Sequence, residues 1–314
     1  MRFRVVFLGT PEFAVPSLQA LLDGPDAVVG VVCQPDRPAG RGQHLQAPPV
    51  KQLAARHALP LAQPLKLKSG EFPAQLRAWS PDLAVVAAYG RILPADILAT
   101  PARGCINVHA SLLPKYRGAA PIQWAVLNGE VETGVTIMRM NERMDEGDIL
   151  LQRATPIGAE ETSGALLQRL AEIGADALSE ALAALAAGAL VATPQDHAGA
   201  TAAPMIRKQQ GVIDWTLPAV AIARAVRAFQ PWPSAHTSLG GRLLKLQRAR
   251  ALEQVSGAAP GSVIGADATI RVATGAGVLA IETLQFEGRK ALDAAAFVRG
   301  GGLAVGDRLG DTAG

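Results

Sequence analysis

The stretch RFRVVFLGTPEFAVPSLQALLDGPDAVVGVVC, residues 2–33, decides the fold class. Residues 2–8 become continuously apolar and run into Gly9, Thr10 and Pro11. Residues 13–22 carry helical spacing, with Pro16 in the first turn, where its missing N–H is tolerated. Residues 27–33 are again apolar. Strand, helix, strand is a βαβ unit, and consecutive apolar strands predict a parallel sheet covered on both faces. Residues 83–89 and 105–109 read as further strands of the same kind. The expected class is α/β, with an open, parallel-rich sheet. The Gly9 turn lacks the full GxGxxG, so it predicts a tight turn facing some ligand other than a dinucleotide.

At 314 residues the chain has room for two domains. Residues 207–314 hold 13 Lys+Arg against 8 Asp+Glu, whereas residues 1–206 hold 17 against 19. A basic C-terminal third invites a polyanionic partner, and a solvated basic face accounts for the charge equally well. Cys33 and Cys105 sit in apolar runs and read as buried, reduced thiols, which fits a cytoplasmic setting. There is no CxxC and no Cys/His cluster with zinc spacing, so no metal is expected. The first residues lead straight into a strand without the apolar core of a signal peptide, and no uninterrupted apolar window is long enough to cross a membrane. Nothing demands more than a monomer.

Residues 34–49, QPDRPAGRGQHLQAPP, break the α/β pattern with four prolines and two glycines. Connections at such a position usually span about two to six residues, and longer ones commonly carry function. Arg37 and Arg41 lie where they could reach phosphates; local turn contacts, with Asp36 for example, are the alternative. Residues 83–89 lead into Gly90, Arg91, Ile92 and Leu93. Ligands of open α/β sheets gather outside the carboxyl ends of the strands. This segment therefore joins the Gly9 turn around one crevice, walled by Ile92 and Leu93 on one side and Leu112, Leu113 and Pro114 on the other. A flat, partly apolar ligand would suit it. Residues 134–140 and 148–153 read as strands flanking an acidic loop, and 162–188 as a long helix capped at Thr162 or Ser163. Polar, aperiodic residues 192–206 read as a linker between domains 1–191 and 207–314. Beyond it, helix 219–228 is followed by short strand-like pieces with Gly-rich turns, which predict a small antiparallel barrel or sandwich.

The chemistry gathers at CINVHASLLP, residues 105–114. Asn107 and His109 share one strand face, because side chains alternate with period two. A carboxamide there can donate to a developing oxyanion, and an imidazole can share that charge or move a proton. The loop NERMDEG, residues 141–147, supplies Asp145, a carboxylate to tune the histidine and accept a proton. Ser111 is not in a GxSxG elbow and Cys105 lies at the buried start of the strand, so no nucleophile is called for. A lone histidine is more often structural; the three residues together point to acyl-type transfer without metal.

Asn107-x-His109-x-Ser111-Leu112-Leu113-Pro114, then Gly134-Val135-Thr136-Ile137 and Met144-Asp145-x-Gly147-Asp148, resemble the 10-formyltetrahydrofolate-dependent formyltransferase family. Gly9-Thr10-Pro11-Glu12-Phe13, residues 34–42, Gly118-Ala119-Ala120-Pro121-Ile122-Gln123 and Phe229-Gln230-Pro231-Trp232-Pro233 are similar to the branch that acts on a charged tRNA. The resemblance covers nearly the whole chain except the Gly-rich tail after Arg299. It implies a Rossmann-like first domain, a smaller OB-like β-barrel, and formyl transfer to the α-amino group of initiator methionyl-tRNA. It implies a catalytic trio of Asn107, His109 and Asp145, and a folate site at Arg91, Ile92, Leu93, Ser111, Leu112, Leu113 and Pro114. A cis Leu113–Pro114 bond is implied too. Arg37 and Arg41 would enter the acceptor end of the tRNA, and Arg207, Lys208, Lys245 and Arg248 would meet its phosphates. A formyltransferase acting on a small amine would leave the basic loop and basic second domain without purpose. A non-catalytic OB-type RNA-binding protein would leave the trio without one.

Overall fold

The computed structural model describes residues 3–39, 44–68 and 70–310. Strand β1 (Arg4–Gly9) buries five of its six residues, as a central strand covered on both faces must. A short 3-10 turn leads into α1 (Val15–Asp23), with Pro16 in the first turn and Leu18 and Leu21 turned inward. β2 (Ala27–Val32) pairs in parallel with β1 and completes the βαβ unit. Then come β3 (Arg37–Ala39), β4 (His44–Gln46), α2 (Pro49–Arg56), β5 (Leu61–Ala62), α3 (Phe72–Ala78), β6 (Leu83–Ala87) and α4 (Ala95–Leu98). β7 (Cys105–His109), β8 (Arg117–Gly118), α5 (Pro121–Asn128), β9 (Glu132–Arg139), β10 (Ile149–Pro156), α6 (Ser163–Ala186) and β11 (Ala202–Ala203) follow.

The main sheet runs β10-β9-β7-β6-β1-β2-β5. β5, β2, β1, β6 and β7 are parallel, and β9 and β10 add an antiparallel edge. The sheet is thus mixed and parallel-rich, as the apolar strands predict. α6 lies close over β7 and β9 because it presents Gly174 there; a Cβ at that position would stand 2.9 Å from Val108 Cγ1. Its N-terminus is capped by Thr162, whose Oγ1 accepts from the Ala165 N–H at 3.2 Å.

The chain divides into two compact units, one of residues 3–121, 132–156 and 167–204, the other of residues 122–131, 157–166 and 205–310. The second is strand-rich. Helix α7 (Ala219–Ala228) buries Ile222, Ala223 and Val226. Strands β12 (His236–Leu239), β13 (Arg242–Leu252), β14 (Val263–Ala266), β15 (Ile270–Ala273), β16 (Val278–Phe286) and β17 (Leu292–Asp293) are followed by α8 (Ala294–Arg299). They form an antiparallel sheet in the order β12-β13-β16-β15-β14, with β17 on β16.

Two stretches differ from the expectation. Residues 34–49 are not a featureless loop: β3 and β4 pair as an antiparallel hairpin, too short for periodicity to announce. Residues 192–206 are not a free linker. Ile149 and Thr193 exchange backbone hydrogen bonds, and β11 pairs in parallel with β8. Their tertiary partners are remote in sequence, so a local pattern cannot reveal them.

Burial pushes the Cys33 thiol up to about 11, the Cys105 thiol to about 12 and the Tyr89 phenol to about 12, from ordinary values of 9.0, 9.0 and 10.0. The folded chain therefore holds these protons more tightly than the unfolded chain does. Their contribution to stability is complete below about pH 9 and is lost as pH rises towards 12. Urea midpoints should accordingly decline across that alkaline window, and both thiols should resist alkylation at pH 8 until the chain unfolds.

Candidate active site

β7 pairs with β9 in a register that sets Asn107 opposite Met138 and His109 opposite Thr136. Val108 points to the other face, against Gly174 of α6, so Asn107 and His109 point together away from that helix. The His109 side chain is 6% exposed. Its Nε2 donates to the Tyr116 carbonyl at 3.0 Å; a carbonyl only accepts, so that nitrogen carries a proton. Its Nδ1 faces Asp145 Oδ2 at 3.7 Å. Of the two aspartates in the acidic stretch, Asp145 supplies the carboxylate, and Asp148 contributes its carbonyl to the Arg139 N–H. Asp145 Oδ2 also accepts from the Gly118 N–H at 2.9 Å. Asn107 is 9% exposed, and among the described residues its carboxamide has no hydrogen-bond partner. A free amide donor, a fixed imidazole and a carboxylate thus converge where a carbonyl could be polarised and a proton moved.

The turn after β7 is fastened from beneath by Thr136, which is fully buried. Its Oγ1 accepts from the Leu113 N–H at 3.1 Å and donates to the Ser111 carbonyl at 2.7 Å. Gln152 Nε2 donates to that same Oγ1 and to the Leu113 carbonyl, both at 2.9 Å. Ser111 is buried, and its hydroxyl donates to the Lys115 carbonyl at 2.6 Å. Leu113 is buried, Leu112 and Pro114 are half-buried, and the Leu113–Pro114 peptide is cis. Sequence reasoning missed Thr136 and Gln152. Thr136 lies in the Gly134–Ile137 motif and is a polar residue within the apolar run of β9, but neither signal assigned it this role.

On the other wall, Arg91 Nη1 donates to the carbonyls of Pro64 and Leu65 at 3.0 and 2.9 Å. Ile92 is exposed, whereas Leu93 is closed into the core with Tyr89, Phe72 and Ile97. Arg37 opens the hairpin, and its guanidinium donates to Gln34 Oε1 at 3.4 Å. Lys51 Nζ anchors the hairpin's base, donating to both Asp36 oxygens at 2.8 Å and to Gln63 Oε1 at 2.9 Å. Hydrogen bonds from Lys51 and then Gln63 hold the Asp36 carboxyl below the usual carboxylate range. Arg41 lies outside the described residues.

In the second unit, Arg207 and Lys208 are exposed at a short 3-10 turn. Lys245 is half-buried on β13. Arg248 on the same strand, with Arg250, is paired to Glu282, at 2.6 and 3.0 Å. That carboxylate offsets part of the local positive charge. Among the described residues, no group of His, Cys, Asp and Glu side chains could hold a metal ion, and no helix is long and apolar enough to cross a membrane.

Two family profiles match the chain: Formyl transferase over residues 1–182, and Formyl transferase, C-terminal domain, over residues 205–302. The chain is 49% identical to a protein of Trichlorobacter lovleyi named methionyl-tRNA formyltransferase, across 98% of this chain and 97% of that one. It is 50% identical to the Myxococcus xanthus protein of the same name, across 98% of each. Among solved structures, HypX from Aquifex aeolicus in complex with tetrahydrofolic acid shares the fold, with a TM-score of 0.60 at 19% identity. That match covers 95% of this chain and 47% of HypX, so the chain spans about half of that protein.

Thr136→Val keeps the shape but strands the Leu113 N–H, the Ser111 carbonyl and one Gln152 donation. Leaving such buried groups unpaired should cost about 1–3 kcal/mol, read as a lower urea midpoint with an unchanged m-value.

Proposed function

The chain belongs to the formyl transferase family, and on that premise we propose that it moves the formyl group of 10-formyltetrahydrofolate to the α-amino group of methionine on initiator tRNA, for translation initiation. The observation that carries the reading is the convergence of Asn107, His109 and Asp145 at the carboxyl end of β7. Near-full-length relatives named methionyl-tRNA formyltransferase favour the tRNA-borne amine over a small one. The folate donor is supported by the family and by the tetrahydrofolic acid complex of a protein with the same fold.

In this reading Asn107 donates its amide N–H to the formyl oxygen as negative charge gathers there. His109, held by the Tyr116 carbonyl, shares that charge and relays protons. The attacking amine must be neutral. An α-ammonium has a pKa of about 8 against about 10.4 for a lysine, and esterification lowers it further, so the Asp145 carboxylate can take its proton. The new C–N bond forms as the donor's C–N bond breaks, and the proton returns to the departing nitrogen. Arg91, Ile92, Leu93, Ser111, Leu112, Leu113 and Pro114 line the folate site. Arg37 on the hairpin and Arg41, with Arg207, Lys208, Lys245 and Arg248, meet the tRNA. We take the first domain, 1–191, joined through the connecting segment 192–206, as Rossmann-like and catalytic. The second, 207–314, is an OB-like barrel that holds tRNA. The protein works as a cytoplasmic monomer.

Incubation with 10-formyltetrahydrofolate and charged initiator tRNA should yield formylmethionyl-tRNA, and absence of that product sinks the proposal. His109→Ala should abolish turnover while tRNA affinity, which should fall steeply with salt, stays near wild type. Lys51→Met unseats the base of the hairpin, so it should raise the KM for tRNA several-fold and leave folate affinity unchanged.

A further inference from the structure

We infer that Gln195 is a positioning residue that holds Asp145 against His109. The inference rests on the role given above to Asp145. Gln195 is 5% exposed and uses its whole carboxamide. Nε2 donates to the Asp145 carbonyl at 2.9 Å and to the Gly147 carbonyl at 2.7 Å. Oε1 accepts from Arg117 Nε at 3.1 Å and Nη2 at 2.6 Å. The two carbonyls flank Glu146, so one side chain spans the tight turn that carries Asp145.

That turn needs a clamp. Asp145 has φ 54°, a left-handed conformation that a non-glycine residue keeps only when its surroundings impose it. The other end of the clamp is equally well placed. Arg117 precedes Gly118, whose N–H donates to Asp145 Oδ2, so backbone and carboxylate of Asp145 are both tied to residues 117–118. Residues 117–118 are themselves held by the segment that carries Gln195. The Arg117 N–H donates to the Thr201 carbonyl, and Gly118 pairs with Ala203. The Tyr116 N–H donates to Thr201 Oγ1 at 2.8 Å, while the Tyr116 carbonyl receives His109. Residues 195–203 thus form a strap that fixes the partners of both His109 and Asp145. Among the described residues, Gln195 is the one residue of that strap hydrogen-bonded to the turn of Asp145.

The test uses the full-length chain with 10-formyltetrahydrofolate and methionyl-tRNA. Gln195→Met keeps the length and removes every hydrogen bond. Gln195→Glu keeps the acceptors for Arg117 but offers no N–H to the two carbonyls. Both should lower kcat by roughly 10–100-fold, the scale of a small misplacement of a reacting group, with both KM values within about threefold of wild type. In an Asp145→Asn background, adding Gln195→Met should change kcat by less than about threefold, because the two act as one unit. Thermal melting and folate binding identify a variant that fails to fold, in which case the other decides. In the unaltered protein the Gln195 side-chain amide protons should exchange far more slowly than those of a free glutamine, and fast exchange there overturns the inference by itself. A folded variant with near-wild-type kcat, or a fully multiplicative double variant, overturns the inference and leaves the function standing. An inactive wild-type chain, or a fully active Asp145→Asn, overturns the inference together with the reading beneath it.

Discussion

Asp145 Oδ2 stands between two groups that are distant in sequence, the Gly118 N–H and the His109 imidazole. The candidate site depends on that arrangement, because a carboxylate can tune an imidazole or take a proton only from within a few ångströms. The backbone amide orients the oxygen, so little reorganisation is left for the reacting state. Keeping it there requires three separate chain segments in register: the end of β7, the turn at residues 116–118 and the turn at residues 145–147. None of these is regular structure along its whole length. Their precision comes from side chains hydrogen-bonded to backbone, above all Thr136, Gln152, Gln195 and Thr201.

Such a polar scaffold is tolerable inside the protein because its members are satisfied. Thr136 Oγ1 donates once and accepts twice, and Gln195 makes four hydrogen bonds. Buried donors and acceptors left open would destabilise the fold. The exception at the site is informative: the Asn107 carboxamide is left without a partner among the described residues, as expected of a donor reserved for a ligand. Beneath it, the apolar strands β1, β6 and β7 and the close approach of α6 at Gly174 give the turns a rigid base.

Much of this was legible beforehand. The βαβ start, the buried strands at 83–87 and 105–109, the long helix capped at Thr162 and helix α7 all follow from apolar periodicity and capping. Asn107 and His109 fall on one face by strand alternation alone. The short elements were not legible. β5 and β11 are two residues each, and α3 and α4 are short, so they leave no periodic trace. Tertiary pairing makes them. Arg91 and Leu93 illustrate a further limit: their types suggested a ligand wall, and nothing local announced that Arg91 also reaches the Pro64 and Leu65 carbonyls or that the Leu93 side chain packs with Tyr89 and Phe72.

The α/β class, the strand-rich basic C-terminal third and the chemical types gathered near His109, Asp145 among them, can be read from the chain alone, because alternation, apolar runs and charge are local properties of it. The fold alone shows how Asp145 is held, with Oδ2 on the Gly118 N–H and facing His109, and that residues 195–203 brace the site. Those outcomes depend on hydrogen bonds between residues 27 to 85 positions apart, which no local pattern in the chain encodes.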